Sequence, residues 1–271
     1  MKKYKVKYFN IIKLLFIILL IINTSFSLIK IIYWLKDNQS TKRQINSLET
    51  VKIIEKKDND NTEIIEDNIK NNIYWNYLNI NLIYVDFEEL KLINSDIIGW
   101  VQLLGTNINY PFVKANNNKY YLNHSIDKSY NEAGWIFLDY RNNLNDKNII
   151  LYAHGRIDKT MFGSLRTIFS SNWYYNKNNY FIKTATNKEL CLWQVFSLYK
   201  IKNTSDYLQI DFKDNEFSLF INKLKNRSYY NFNIEVLEND KIITLSTCYN
   251  QFEKIVMHAK LIKKEDLQSS K

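Results

Sequence analysis

The feature that most constrains this chain is an apolar run that ends on a cysteine. Residues 242–248 read Ile-Ile-Thr-Leu-Ser-Thr-Cys, and the polar residues Tyr249, Asn250 and Gln251 follow at once. Apolar and β-branched residues bounded by a polar stretch predict a β-strand. A thiol where such a strand ends can face a groove and act as a nucleophile, given a base and an anion stabiliser. A lone cysteine is more often a small buried apolar residue, so a catalytic role requires partners elsewhere in the sequence.

Two further predicted strands supply candidates for those partners. Residues 149–152 are apolar and lead into His154, and a third strand, residues 255–261, begins directly after Lys254. A histidine can act as a general acid or base, and a cation can stabilise an oxyanion. Cys248, His154 and Lys254 therefore all fall at strand ends.

The remaining histidines and the second cysteine are interpreted as structural. His124 lies in a predicted loop, and His258 lies four residues, roughly 13 Å, along its strand from Lys254. Cys191 opens a strand of bulky apolar residues, which indicates packing. No close pair among these residues has the spacing of metal ligands, so the sequence predicts neither a metal site nor a cofactor.

Several motifs together resemble one protein family. Thr244–Cys248 resembles the signature of sortases, the cysteine transpeptidases of Gram-positive cell surfaces, and is most similar to class B. One such motif alone is weak evidence for a family, whereas several motifs in the family's order are strong evidence. The other matching segments occur in family order between about residues 86 and 264: Ile98–Val101, Thr106–Pro111, Gly134–Arg141, Leu151–Gly155 and Met161–Leu165.

The resemblance implies a mainly β fold, a closed eight-stranded barrel with N-terminal helices and one helix before the cysteine strand. It implies Cys248 as the nucleophile and His154 as its partner. A cation at Lys254 would hold the substrate backbone and help to stabilise the oxyanion, with the backbone N–H of Tyr249 as a second donor. Ser246 and Tyr249 are predicted to bind substrate.

By the same resemblance, the substrate is a short sorting motif near the C-terminus of an exported protein, cut after a threonine. The acyl group would pass through a thioester on Cys248 to an amine of peptidoglycan or of its lipid-linked precursor. Two other interpretations stay open. One is a sortase that polymerises pilins, and the other is a catalytically weak member that keeps the fold and binds partners.

The second of these rests on one departure from the family. Sortases place an arginine at the start of the strand after the cysteine, whereas this chain has Lys254 and no arginine after Cys248. Lysine keeps the charge but lacks the planar fork of donors. Either Lys254 acts as a poorer clamp, or Arg156 or Arg166 takes over the role. We favour Lys254, because it immediately precedes the strand.

The N-terminus is predicted to be a membrane anchor. Four lysines in the first seven residues precede a mostly apolar stretch long enough to span a bilayer. No small-residue cleavage site follows, which favours an uncleaved anchor over a signal peptide. The basic flank predicts a cytoplasmic N-terminus and an extracellular catalytic domain. The predicted segments are a basic tail (1–7), the anchor (8–35), a polar linker or solvated helix face (36–70) and the catalytic domain (71–271).

Composition excludes several other classes of protein. With 271 residues and 46% hydrophobic residues the chain can bury a large core, and two cysteines cannot staple a disulfide scaffold. The net charge of +9 favours anionic surfaces. No nucleic-acid recognition motif accompanies that charge, so we predict no nucleic-acid partner.

Within the catalytic domain the sequence also predicts individual elements. A capping box, Asp86–Glu89, predicts a short helix ending near Asn94. Gly105–Asn107 predicts a hairpin turn, and residues 160–169 a short helix. The clearest helix is Asp214–Asn226, where four apolar residues share one face: Phe217, Phe220, Ile221 and Leu224.

Overall fold

A computed structural model of the chain describes residues 2–57, 62–64, 75–213 and 215–267. The chain divides into two compact units, one up to Gln44 and one from Ile45 onward. Each unit is described by itself.

The first unit is helical and belongs to helix α1 (Lys2–Leu48). This helix is long and apolar enough to cross a membrane, with a mean hydropathy of 2.4 over its most apolar 18 residues. The polar side chains near its middle bond back to its own backbone. Asn23 donates to the carbonyl of Leu19 at 3.0 Å, and Ser27 donates to that of Asn23 at 2.9 Å. Such bonds reduce the cost of placing polar groups in an apolar environment.

The second unit is built on a closed barrel of eight strands, as predicted. The strands of the ring are β4 (Ile97–Leu103), β5 (Asn109–Lys114), β6 (Phe137–Leu138), β7 (Asn148–Tyr152), β8 (Phe181–Ala185), β9 (Glu189–Lys202), β10 (Ile242–Cys248) and β11 (Glu253–Asp266). Around the ring the order is β10-β7-β6-β5-β4-β8-β9-β11, and β11 pairs with β10 to close it. The β10–β7 and β5–β6 pairs are parallel, and the other pairs in the ring are antiparallel.

Closure leaves these eight strands without a free edge and gives the chain an extended core. Large aromatic side chains fill it, among them Trp100, Trp135 and Trp193, each no more than 1% exposed. The predicted hairpin turn joins β4 to β5, and Gly105 there adopts a φ of +69° that favours glycine.

The helix before the cysteine strand forms as predicted. Helix α4 (Glu216–Asn226) buries the four predicted apolar residues: Phe217, Phe220, Ile221 and Leu224. It packs on β9, where the hydroxyl of Ser197 donates to the carbonyl of Leu224 at 2.6 Å. Helix α3 (Ser171–Tyr175) is short, and four 3₁₀ turns complete the helical content of the described chain: Trp75–Asn79, Tyr120–Leu122, Gly163–Arg166 and Lys177–Tyr180.

Two predicted helices differ in detail. Helix α2 (Glu88–Ile93) begins where Asp86 accepts the N–H of Glu88 at 3.0 Å. The N–H of Asp86 bonds to the carbonyl of Lys52 at 3.4 Å, so the reciprocal half of the predicted capping box is already satisfied by another residue. The helix predicted at 160–169 is only the 3₁₀ turn Gly163–Arg166.

The region predicted as a linker contains strands in its described part. Strand β1 (Ile53–Lys56) pairs with β3 (Leu82–Val85), and β2 (Thr62–Ile64) pairs with β11 outside the ring. Both strands are held by main-chain hydrogen bonds, which any side chain permits. Their mixed apolar and charged residues therefore gave no strand pattern in the sequence. Residues 58–61 and 65–74 lie outside the described residues, and with them the predicted boundary at residue 71.

Candidate active site

Cys248 and Lys254 face each other at one rim of the barrel. Cys248 is the last residue of β10 and is exposed. In the antiparallel β10–β11 pair, Lys254 is its direct cross-strand partner. Side chains at paired positions lie on the same face of the sheet, about 5 Å apart at their Cβ atoms. The hairpin register therefore places the cation beside the thiol.

The parallel pairing of β7 with β10 brings His154 to the same rim. Ser246 is paired with Tyr152, the last residue of β7. Two residues farther along the two strands lie Cys248 and His154. Both chains leave the sheet at this point, which is the rim position predicted from the sequence.

Backbone contacts hold these two chain segments against each other. The hydroxyl of Thr247 donates to the carbonyl of Ala153 at 2.7 Å. A Cβ atom on Gly155 would lie 2.1 Å from the carbonyl oxygen of Cys248. Only glycine allows the segment after His154 to approach Cys248 this closely.

The imidazole of His154 is oriented by a backbone carbonyl. Its Nε2 lies 2.7 Å from the carbonyl oxygen of Leu122, in the 3₁₀ turn Tyr120–Leu122. A carbonyl can only accept, so Nε2 carries a proton. Nδ1 has no hydrogen-bond partner among the described residues. Nδ1 is therefore the nitrogen available for proton exchange.

No carboxylate of the described residues pairs with the ammonium group of Lys254. Its contact among the described residues is with the face of Tyr207, 5.9 Å from the ammonium nitrogen to the ring centre, and no carboxylate of the described chain lies within 4.0 Å. An unpaired cation beside a thiol suits the stabilisation of a developing oxyanion.

The two candidate arginines are already engaged. Arg156 forms an ion pair with Asp158 at 2.7 Å and bonds to Thr160 at 2.8 Å. Arg166 donates to the carbonyls of Gly155 and Tyr249. This geometry favours Lys254 over either arginine as the oxyanion partner.

Tyr249 and Ser246, which are predicted to bind substrate, both have hydrogen-bond partners within the protein. The N–H of Tyr249, predicted as a second oxyanion donor, is bonded to the carbonyl of Glu253 at 2.8 Å and is not available in this arrangement. Ser246 is 2% exposed and shares a 2.9 Å hydrogen bond with the hydroxyl of Tyr207. The Ser246 side chain is therefore almost closed to solvent in this arrangement.

Tyr207 is a residue of the site that the sequence did not reveal. It lies between Ser246 and Lys254, and burial, offset in part by the bond to Ser246, raises its pKa to about 12. It belongs to the segment between β9 and α4, which carries no motif. Only the folded barrel shows that this segment reaches the rim.

The residues interpreted as structural are either buried or hydrogen-bonded within the protein. Cys191 is 2% exposed, and burial raises the pKa of its thiol. His258 is fully buried, and His124 bonds to the carbonyl of Tyr120 at 2.8 Å. In the part of the chain that the structure describes, no group of three or more His, Cys, Asp or Glu side chains could hold a metal ion.

The chain is similar to known proteins in both sequence and fold. The protein-family model described as "Sortase domain" matches residues 103–262. The chain belongs to the sortase family. It is 36% identical to sortase B of Staphylococcus aureus over 65% of this chain and 75% of that protein.

Two solved structures support class B. The S. aureus sortase B–substrate complex superposes with a TM-score of 0.61 at 36% identity, over 65% of this chain and 84% of that one. Sortase B from B. anthracis superposes with a TM-score of 0.66 at 29% identity, over 86% of this chain and 99% of that one. The class B assignment made from the motifs is thereby confirmed.

Proposed function

We propose that this sortase is a membrane-anchored cysteine transpeptidase in which Cys248, His154 and Lys254 act together. The observation that carries the proposal is their convergence: two strand registers bring a thiol, an imidazole and an ammonium to one rim, and no carboxylate of the described residues pairs with that ammonium. A buried or carboxylate-paired Lys254 would not have supported it.

The first half-reaction forms a thioester. The thiolate of Cys248 attacks the carbonyl carbon of the threonine in a sorting motif, and negative charge moves onto the carbonyl oxygen. Lys254 stabilises that oxyanion. The C–N bond then breaks, and protonated His154 gives the proton to the departing amine from Nδ1.

The second half-reaction transfers the acyl group. An acceptor amine attacks the thioester carbonyl, a new C–N bond forms, and Cys248 leaves as the thiolate. His154 takes the proton from the incoming amine and so returns to its starting state. No oxidant, metal or cofactor is needed for the atoms and charges to balance.

Sorting signals of exported proteins are the proposed donors, and an amine of peptidoglycan or its lipid-linked precursor is the proposed acceptor. Sequence similarity to sortase B, and to one crystallised as a substrate complex, supports this choice. The outcome would be attachment of surface proteins to the cell wall. We place the N-terminus in the cytoplasm and the catalytic domain outside, because the basic residues precede the apolar helix.

The test is a transfer reaction with the full-length protein in detergent micelles, a library of sorting peptides and an amine acceptor. Mass spectrometry of the products should find peptides cut after threonine and joined to the acceptor. In a parallel reaction that also offers a pilin as acceptor, products joined only to a lysine side chain of the pilin would indicate pilus assembly. Peptide binding with no cleavage by a folded protein would indicate the binding-only alternative that Lys254 raises.

A further inference from the structure

Arg166 connects the two chain segments that carry the proposed nucleophile and its histidine partner. It ends the 3₁₀ turn Gly163–Arg166. Its Nη2 donates to the carbonyl of Gly155 at 3.0 Å and to the carbonyl of Tyr249 at 2.5 Å, and its Nε lies 3.3 Å from the Gly155 oxygen. One guanidinium thus bonds to both segments.

The two carbonyls follow directly on the two reacting residues. Gly155 is the residue after His154, and Tyr249 is the residue after Cys248. The parallel ladder of β7 and β10 ends at Tyr152. Beyond it, the relative position of the two segments depends on contacts such as those of Arg166.

The aromatic ring of Tyr249 adds to this connection. The guanidinium carbon of Arg166 lies 4.8 Å from the ring centre, and the ammonium of Lys200 lies 4.0 Å from it. A cation over the face of an aromatic ring is attracted by the ring's π-electrons, so both contacts stabilise the position of Tyr249. The turn after Cys248 is therefore held through both its backbone and its side chain.

We infer that Arg166 is a positioning residue that sets how closely His154 approaches Cys248, acting through the backbone carbonyls on either side. The inference rests on the proposed roles of Cys248 and His154. A planar guanidinium can donate to two carbonyls in a fixed geometry, which a lysine ammonium cannot reproduce. A displacement of about 1 Å between reacting groups can cost roughly 100-fold in rate.

The test measures the pH dependence of Cys248 alkylation by iodoacetamide in the full-length protein in detergent, with peptide mapping of the modified cysteine. Arg166→Ala should lower the alkylation rate at pH 6 to 7 about tenfold and move the midpoint of the pH profile upward. Arg156→Ala is the matched control, because that guanidinium bonds to Asp158 and Thr160 within its own segment. An unchanged profile in Arg166→Ala, or an equal shift in the control, would overturn the inference.

A double-mutant comparison separates positioning from a direct effect of charge. If Arg166 acts through His154, Arg166→Ala should shift the profile no further once His154→Ala is present. Additive shifts would show that the charge acts on the thiol directly, against the inference. Arg166→Lys should restore only part of the rate, and full restoration would contradict the need for two carbonyl bonds.

Alkylation requires neither sorting peptide nor acceptor. If no peptide acylates the unmodified protein, the proposed function fails, while the alkylation profile still tests Arg166. With an active enzyme, Arg166→Ala should lower kcat for peptide transfer about 10- to 100-fold with little change in KM.

Discussion

The rim of the barrel and the interior beneath it each hold a histidine beside β10, and the two imidazole rings differ in burial and in hydrogen bonding. At the rim, His154 is half-buried and bonded through Nε2 alone, with Nδ1 unpartnered among the described residues. Inside, His258 is fully buried and bonded through both nitrogens. The rim ring keeps one nitrogen open, as its proposed role requires, whereas both nitrogens of the interior ring are occupied.

The interior network fixes the tautomer of His258. Thr244 donates its hydroxyl hydrogen to Asn148 Oδ1 at 2.6 Å, so its oxygen must accept from Nδ1–H of His258 at 2.8 Å. Nε2 of His258 then accepts from the hydroxyl of Tyr199 at 2.8 Å. Burial, together with the nearby positive charge of Arg227, lowers the pKa of His258 to about 3.

The same contrast separates the two cysteines, and it yields the largest predicted effect. Cys248→Ala should abolish acyl transfer while leaving the thermal unfolding temperature nearly unchanged, because an exposed side chain contributes little packing. Cys191→Ala is the matched change in the core. It should keep activity at temperatures where the protein stays folded and lower the unfolding temperature, as measured by tryptophan fluorescence. Transfer activity in Cys248→Ala would break the comparison.

The next effect concerns the cation at the rim. Lys254→Ala should lower the transfer rate by about two to three orders of magnitude, since a lost oxyanion donor costs roughly 2–4 kcal/mol in the transition state. Lys254→Arg should preserve or raise the rate, because it restores the family's planar donor. Steady-state kinetics on the full-length chain measures both.

Lys202→Ala is the control for that experiment. Lys202 is exposed at the end of β9, paired with Glu253 next to Lys254. Its loss changes the net charge equally but removes no group from the thiol, so the rate should stay within a few-fold of the unmodified enzyme. A full rate in Lys254→Ala, with loss in Arg156→Ala or Arg166→Ala, would transfer the oxyanion role to that arginine.

A smaller effect should appear in the interior as a dependence of stability on pH. Because the folded pKa of His258 lies below its unfolded value near 6.5, the unfolded state binds the proton more readily. The stability that this neutral ring contributes is complete above pH 6.5 and is lost as pH falls from there toward 3. The slope is at most about 1.4 kcal/mol per pH unit for this one group.

His258→Gln tests that expectation, since glutamine does not titrate. Unfolding temperatures between pH 4.5 and 7.5 should fall more steeply with acidification in the unmodified protein than in the variant. The variant itself should be less stable by about 1–3 kcal/mol at neutral pH, because Thr244 and Tyr199 lose a well-placed partner. Parallel pH curves for the two proteins would show that His258 is not held neutral.

The smallest effect is expected where rim and interior meet. Tyr207→Phe removes only the hydroxyl that bonds to Ser246, and it keeps the ring beside Lys254. A single neutral hydrogen bond contributes about 0.5–1.5 kcal/mol, so the transfer rate should change no more than roughly tenfold. A larger loss would give the hydroxyl a direct part in the chemistry.

Individual strands and the helix before the cysteine could be predicted from local residue patterns, whereas the closed barrel was implied by the resemblance to sortases. The apolar residues that predicted the strand Ile242–Cys248 and the helix Glu216–Asn226 are the ones buried in the structure. The ends of apolar runs also indicate candidate catalytic residues, because polar side chains there can face a groove. That reasoning put Cys248, His154 and Lys254 at strand ends, and the resemblance to sortases implied that they lie together.

What the sequence could not predict depends on contacts between distant segments. Tyr207 and the carbonyl of Leu122 reach the site from segments without a motif. The N–H of Tyr249, predicted as an oxyanion donor, bonds to the carbonyl of Glu253 across the turn between β10 and β11. Strands β1 and β2 are four and three residues long and mix apolar with charged residues, so they are too short to show an alternating pattern.

In the proposed mechanism the thiol of Cys248 at the rim carries the acyl group. The direct measurement is mass spectrometry of the full-length protein after brief incubation with sorting peptides and no acceptor amine, followed by peptide mapping. We predict an acyl adduct on Cys248, absent from Cys248→Ala and released when an amine is added. An adduct on Cys191, or transfer product formed by Cys248→Ala, would contradict the claim.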